Sequence, residues 1–467
     1  MRAIGSTLAH VPRLRLSSIV LGLIFALEAV LVRWRLLSSP RGGVGLWSPL
    51  DPDAQTYMYY AKVILSHGLS AYANPARVPF WPITVAPFIA LLGPGFTTIR
   101  VASFVFGLLT ILATYIVAKE AFSPKVGLVS SFLLAISFYV VFNALRGLRE
   151  ELFSLLLLGL IYFALVRQSR GLVRIGLSAI LTSLLYFTRS DGALLVVPSL
   201  LVYLAVSSKM RRQKMPVKQM FLIALAFAIS AAGWAWYSFS LSGDPFAEST
   251  SYASWNYWVE FQKAAGSHPT LNVTMSQYLF QYHTISQLLS ASAAGTLWII
   301  QFLDMLLYPY LFGYLPNIPP MGWLLFPIVP ILFFAGAFMM WRRNTNWYFP
   351  FLYAITVPYL GLFHQLGVLE TPRALVPFAP IIFITISLPL LTVYQSSESW
   401  LRRRRGAIPL LVSLFLGLIV FAYISVNYAY LLAWATLKPG LQDIVAVSAF
   451  FGLSVLWAIL SAVRKLH

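Results

Sequence analysis

The sequence predicts an all-helical polytopic membrane protein of about twelve spans, with further helices in its outer loops. Three observations carry this. Of 467 residues, 59% are hydrophobic and 10% are charged, against about 45–50% and about 25% in ordinary soluble domains. Mean hydropathy is +0.78. The apolar residues also gather into runs long enough to cross lipid, which takes about 20 residues. This composition excludes a soluble enzyme, a disordered chain and a fibrous repeat. The chain has no cysteine, so disulfides and thiolate metal sites are excluded as well.

The first run, 17–37, is too long for the apolar core of a signal peptide and has no small-residue cleavage site, so it is read as a retained helix. Runs at 101–118, 126–142, 152–166, 175–187, 193–207 and 220–240 complete a module of seven spans over residues 1–241, with a large outer loop at 38–100. Five more runs, at 323–340, 347–363, 374–392, 408–432 and 441–463, make a second module over 323–467. Between the modules lies a polar and aromatic outer region, 242–322.

The charges support this count. The segments placed on the N-terminal side hold 21 of the 33 Lys and Arg but only two acids, Glu120 and Glu398. The opposite side holds 12 basic residues and 11 acids. So strong a bias puts both termini in the cytoplasm. The stretch 296–312 is apolar enough for a thirteenth span, but adding it would turn Arg342 and Arg343 outward. Residues 274–320 are therefore read as outer helices on or dipping into the membrane surface, broken by Pro309, Pro316, Pro319 and Pro320. The net charge of +19 is then the positive-inside bias plus contact with anionic lipid, and no nucleic acid partner is implied.

Charges beside lipid are costly, and those kept there are candidates for function. The outer loops hold Asp51-Pro-Asp53, Arg146 to Glu151, Thr188-Arg189-Ser-Asp191 and Glu370-Thr-Pro-Arg373, each where a helix meets the outer face. Arginine forks neutralise phosphate oxygens bidentately. A carboxylate can take a proton from a hydroxyl, and a carboxylate group such as Asp51, Asp53 and Glu151 can hold a divalent metal. Plainer roles are open to the same residues: Asp51 or Asp53 as a helix cap, Arg146, Arg149 and Glu151 as interfacial anchors, and the outer aromatics as an interfacial belt. The outer histidines have no metal-site spacing.

Read in order, these motifs resemble the GT-C glycosyltransferases, closest to the protein O-mannosyltransferase and aminoarabinose (lipid A) transferase branch. Asp53-Ala-Gln-Thr-Tyr57-Met-Tyr-Tyr-Ala61 is similar to that family's first-loop Asp-Glu-x-x-Tyr-x-x-x-Ala, with Ala54 in place of Glu. Arg77-Val-Pro79 stands where the family has Lys-Pro-Pro. Arg100 stands at the opening of the next span. Arg146 and Glu151 resemble the second-loop Arg and acid, Thr188-Arg189 the Thr-Lys or Thr-Arg after the fifth span, and Arg373-Ala-Leu-Val-Pro377 the late Arg-Tyr-x-x-Pro.

The resemblance implies a polyprenyl-phosphate-linked sugar as donor, with dolichyl or undecaprenyl phosphate as its lipid, and membrane lipid around it. It implies inverting transfer on the outer face with Asp53 as general base, assisted by Asp51 and Glu151. Arg373, Arg189, Arg146, Arg77 and Arg100 would bind the donor phosphate. A divalent metal on Asp51, Asp53 and Glu151 is consistent with it, and 242–322 would be a lid that reads a protein, lipid or glycan acceptor. The alternatives are an oligosaccharyltransferase-like enzyme and a transporter or flippase of lipid-linked sugars. Absence of a repeat weighs against the transporter.

Overall fold

The computed structural model describes residues 52–167, 171–263, 272–307, 328–343, 346–366 and 371–403, and the described residues contain helices and no strand. Within the first outer loop, α1 (Pro52–His67) and α2 (Phe80–Leu92) precede the long α3 (Phe96–Ala121). Then come α4 (Pro124–Ile136), α5 (Phe138–Leu145), α6 (Glu150–Ile161), α7 (Leu172–Thr188), α8 (Ser190–Met210) and α9 (Val217–Ser242). The region after α9 supplies α10 (Ala247–Tyr257), α11 (Met275–Phe280) and α12 (Ile285–Leu307). The last described helices are α13 (Ile328–Arg342), α14 (Tyr348–Gln365), α15 (Thr371–Leu375) and α16 (Ala379–Arg403).

Eight of the expected apolar runs coincide with these helices, and a ninth, 126–142, is divided between two of them. The runs 17–37, 408–432 and 441–463 lie outside the described residues. Among the described residues, four helices are long and apolar enough to cross a membrane: Phe96–Ala121, Ser190–Met210, Val217–Ser242 and Arg373–Gln395. Their outward faces are apolar too: Leu112, Phe221, Ile229 and Trp236 are exposed, as befits surfaces solvated by lipid. The inward faces carry small hydroxyl residues whose side chains bond their own helices. Thr110, Thr114, Thr182 and Thr385 each donate to a carbonyl four residues back, at 2.7–2.8 Å, so their burial leaves no donor unmet.

Two elements depart from the expectation. The run 126–142 is not one helix: Ser137 adopts an extended conformation (ψ 117°) and separates α4 from α5. Its hydroxyl donates to the Leu306 carbonyl of α12 at 2.7 Å, a tertiary contact that hydropathy does not register. The region expected to hold surface helices contains α12, a continuous helix of 23 residues. It packs along α14 through a glycine crossing. A Cβ on Gly295 would run into the Gly361 carbonyl, and one on Gly361 would stand 2.5 Å from the Thr296 nitrogen. Ser292 completes the seam by donating to the Pro358 carbonyl at 3.0 Å. Small residues let two helices approach this closely. The prolines expected to break the region lie beyond α12, outside the described residues.

Candidate functional site

Six chain segments converge at one place, the five taken in turn below and the start of α10, which brings Glu248. The first is the start of α1, where Pro52 opens the helix, as its fixed φ allows, and Thr56 donates to its carbonyl at 3.0 Å. Ala54, Tyr57 and Ala61 form the buried face of α1. Ala54, standing where the resembled motif has Glu, is completely buried and makes room for this packing. Asp53 adjoins that face with its side chain 23% exposed.

The second segment is the loop 72–79, which carries Arg77. Tyr72 donates to the Arg77 carbonyl at 2.6 Å. From α9, Tyr237 donates to the Tyr72 carbonyl and Ser238 to that of Pro75. A long helix thus pins the loop and fixes where Arg77 can reach.

The third is the turn from α5 into α6. Gly147 takes a φ of +74°, where a side chain would be strained, and a Cβ there would sit 3.0 Å from Ile99 Cγ2. The turn's carbonyls are tied down from three sides. Arg100 Nε donates to Leu145 at 2.9 Å, Trp81 Nε1 to Gly147 at 3.3 Å and Ser103 to Leu148 at 3.2 Å. Arg149 and Glu150 follow this braced turn.

The fourth is the junction of α7 and α8, where Arg189 is extended (φ −158°, ψ 99°). Gly192 lets α8 approach α6: a Cβ there would lie 2.6 Å from Phe153 Cζ. The fifth is α15, which carries Arg373.

Asp53 stands between two guanidinium groups, with Arg77 Nη2 at 2.6 Å from Oδ1 and Arg373 Nη2 at 2.8 Å from Oδ2. Arg373 also donates through Nε to Glu150 Oε1 at 2.8 Å. Arg189 forks onto Asp191, its Nε 3.0 Å from Oδ1 and its Nη2 3.2 Å from Oδ2. Its Nη1 stands 3.6 Å from Glu150 Oε1, an ion pair just beyond hydrogen-bond reach. Arg149 Nη1 donates to the Thr188 carbonyl at 3.1 Å and lies 3.9 Å from Glu248 Oε1. Ser190 donates to Glu248 Oε2 at 2.6 Å. Tyr57 sits beneath, its ring centroid 5.5 Å from the Arg77 guanidinium and 5.8 Å from that of Arg149, in cation–π range.

This network joins four arginines to four acids through contacts too buried for water to screen fully. Burial pushes the Asp53 carboxyl up, but Arg373 and Arg77 outweigh it and hold the carboxyl below its ordinary value. Glu248 goes the other way. Burial pushes its carboxyl up, and Arg149 and the Ser190 hydroxyl offset this only in part. Two buried arginine nitrogens, Arg149 Nε and Arg189 Nη1, have no hydrogen-bond acceptor.

Of the residues singled out from sequence, Asp53, Arg77, Arg189 and Arg373 meet here. Arg100 does not join them. It is 2% exposed and its Nε donates to the Leu145 carbonyl, so it braces the turn. Arg146 ends α5, its backbone N–H donating to Asn143. Glu151 is buried against α3, where its carbonyl accepts from Thr110 at 3.1 Å. The acid that meets Arg373 and Arg189 is its neighbour Glu150. Asp51 lies outside the described residues. Among those residues no three His, Cys, Asp or Glu side chains cluster as a metal site, and Asp53 gives both its oxygens to arginine. The set considered from sequence includes Asp51 and so extends beyond the described residues. Glu248 was missed altogether. Its signal was an acid opening a helix with Tyr252 and Asn256 at four-residue spacing behind it.

Residues 75–236 match the family model for dolichyl-phosphate-mannose-protein mannosyltransferase. No curated protein matches. Among solved structures, the fold is similar to that of ArnT from Cupriavidus metallidurans in the apo state (TM-score 0.53, 13% identity, covering 94% of this chain and 76% of that one). The same ArnT bound to undecaprenyl phosphate gives a TM-score of 0.51 at 13% identity, with the same coverage. The Archaeoglobus fulgidus oligosaccharyltransferase, tethered to an acceptor peptide, gives 0.50 at 14% identity. That match covers 91% of this chain but 56% of the other, so the chain spans little more than half the length of the oligosaccharyltransferase. The chain thus resembles GT-C enzymes in a family-model match over residues 75–236 and in the fold of nearly the whole chain, and this indicates a glycosyltransferase.

Proposed function

We propose that the chain transfers a sugar from a dolichyl or undecaprenyl phosphate donor to a protein, lipid or glycan acceptor on the outer face of the membrane, with both termini in the cytoplasm. The observation that carries this reading is the carboxylate of Asp53, gripped by Arg77 and Arg373 at 2.6 and 2.8 Å beside two further arginines. It puts a base and a set of phosphate ligands in one place. ArnT, whose fold is similar, has been solved with undecaprenyl phosphate.

The chemistry runs as a single displacement. The acceptor's nucleophilic atom attacks the anomeric carbon and its proton passes to Asp53. The bond from that carbon to the phosphate oxygen breaks, and the phosphate leaves with the electron pair. A phosphate leaves without being protonated, so no second carboxylate acts as acid, unlike in glycoside hydrolysis. Arg373, Arg189, Arg77 and Arg149 take up the phosphate charge, with Arg149 Nε and Arg189 Nη1 as the open donors. Glu150 and Asp191 hold Arg373 and Arg189 in place. The region 242–322, through α10 and α11, lids the site and meets the acceptor.

The test is release of free polyprenyl phosphate from polyprenyl-phosphate-linked sugars by the purified protein in lipid, with an acceptor extract. Proton transfer to a positioned base contributes about 10²–10⁴-fold. Asp53→Asn should lose activity on that scale and still fold. Undiminished release by Asp53→Asn removes the base assignment. No release by the wild type from any donor favours the transporter reading instead.

A further inference from the structure

We propose that Glu248 reads a hydroxyl of the transferred sugar, its Oε1 accepting a hydrogen bond from that hydroxyl while the donor phosphate lies among the arginines. This rests on the transferase reading above and names a residue that fixes which sugar is used.

Two carboxyl groups of the cluster, those of Asp53 and Glu248, lie in the fields of the same two arginines, Arg149 and Arg77. They are engaged differently. Asp53 gives one oxygen to Arg77 and the other to Arg373, at 2.6 and 2.8 Å. Glu248 gives only Oε2, which accepts from the Ser190 hydroxyl at 2.6 Å. Its Oε1 accepts no hydrogen bond from any described residue. Arg149 Nη1 stands 3.9 Å away, beyond hydrogen-bond reach, and donates instead to the Thr188 carbonyl at 3.1 Å. Glu150 Oε2, in the same cluster, is also without a partner, but it is sealed. Glu248 Oε1 is not sealed, and its side chain is 22% exposed. It is an unused acceptor that a ligand can reach. Local structure holds it there. Arg149 precedes α6, Ser190 opens α8 and Glu248 lies in the first turn of α10, so three helix starts meet at this carboxyl, where negative charge is favoured.

The chemistry of Oε1 selects what it meets. It is an acceptor, so a phosphate oxygen does not match it. An ammonium group would match the carboxylate but would enter a site already holding four guanidinium groups. A neutral hydroxyl donates to Oε1 and adds no charge. The donor brings such groups to this place by its own connectivity: its sugar is joined to the phosphate through one ester oxygen. With the phosphate on the arginines, the ring must lie against the groups that adjoin them, and Glu248 adjoins Arg149. Burial raises the Glu248 carboxyl, but Oε1 accepts in either protonation state. A proton on the group would sit on Oε2, facing Ser190, whose oxygen can accept as well as donate.

The test compares wild type with Glu248→Leu, which removes the acceptor at similar size, and Glu248→Gln, which keeps an acceptor oxygen. All are prepared in the same lipid. The donors are the best-used of a panel of undecaprenyl- and dolichyl-phosphate hexoses and its singly deoxygenated analogues. Release of polyprenyl phosphate is measured with a fixed amount of acceptor extract. For wild type, kcat/KM should fall about tenfold or more for one deoxy analogue, the one lacking the hydroxyl that Glu248 holds. Glu248→Leu should use that analogue and its parent about equally, and Glu248→Gln should keep most of the wild-type preference. A merely structural role would lower all donors alike. Equal use of every deoxy analogue and the parent by wild type overturns the proposal without any variant. So does a folded Glu248→Leu that keeps the wild-type preference, or one altered only in its dependence on acceptor concentration. Glu248→Ala, which cannot clash, takes the place of the Leu variant if that fails to fold, and failure of both would make the carboxyl a structural group and overturn the assignment. No release by wild type from any donor is a separate result, which removes the transferase reading and this assignment with it.

Discussion

Replacing Glu150 by Gln removes one negative charge from the middle of the arginine cluster and changes almost nothing else in size. Glu150 is 1% exposed, and its Oε1 lies 2.8 Å from Arg373 Nε and 3.6 Å from Arg189 Nη1. Removing one partner of a buried ion pair costs about 3–5 kcal/mol, because the remaining charge is left uncompensated. Here the lower end applies, about 3 kcal/mol. Arg373 keeps Asp53 at 2.8 Å and Arg189 keeps Asp191 at 3.0 Å, and a Gln oxygen can still accept from Arg373.

The matched control is Glu120→Gln. Glu120 pairs with Lys119 at 3.9 Å with both side chains 43–50% exposed, and an exposed pair of that kind contributes about 0–1 kcal/mol. Thermal unfolding of both variants in the same detergent, followed by tryptophan fluorescence, should lower Tm by several degrees for Glu150→Gln and leave Glu120→Gln at the wild-type value. Release of polyprenyl phosphate should fall in the first variant only, since Arg373 loses the group that orients its Nε. Equal Tm values for the two variants would show that Glu150 is not the counter-ion of the cluster and would refute the network reading.

Gly295→Val should disrupt the α12–α14 seam, because its Cβ would occupy the position of the Gly361 carbonyl; overpacking of this kind costs about 1–3 kcal/mol, and a Tm equal to wild type would show that the two helices are free to separate. Glu248→Gln tests a pH effect whose sign follows from burial. The folded carboxyl is raised above its unfolded value, so its stabilising contribution is complete below the unfolded value, about 4.3, and is lost as pH rises through the folded one. The Tm of wild type relative to Glu248→Gln should therefore fall between pH 4 and pH 7, and a variant clearly less stable than wild type at pH 7 would contradict it.

Long-range order was readable in the sequence where one type of signal dominated. Apolar runs marked α3, α7, α8, α9, α14 and α16, because lipid tolerates nothing else on an exposed helix face. Asp53, Arg77, Arg189 and Arg373 were readable through their order along the chain. What stayed hidden depended on rotation or on tertiary contact. Glu150 and Glu151 are chemically alike, and a turn of about 100° around the helix decides which of them reaches Arg373. Arg100 opens its helix as an arginine facing a ligand would, but the facing partner is a backbone carbonyl. The break at Ser137 depends on Leu306, 169 residues away. Glu248 stands in a region without a motif, and its role follows only from the approach of Ser190 and Arg149.

The composition of the cluster bears on how the reaction is timed. The whole chain has 14 acids, and four of them, Asp53, Glu150, Asp191 and Glu248, stand against four arginines. Four guanidinium groups buried together without counter-ions would carry a prohibitive desolvation cost, which Asp53, Glu150 and Asp191 offset. Asp53 bears a consequence of this. With one arginine on each oxygen, its carboxyl is held low, and a carboxylate so held is a weak proton acceptor. A phosphate that draws Arg373 toward itself frees one oxygen of Asp53 and removes part of the field that depresses it. The burial already acting on that carboxyl then raises it. In the transfer proposed above, a base at Asp53 would gain strength as the donor binds, because phosphate and carboxylate compete for the same guanidinium groups.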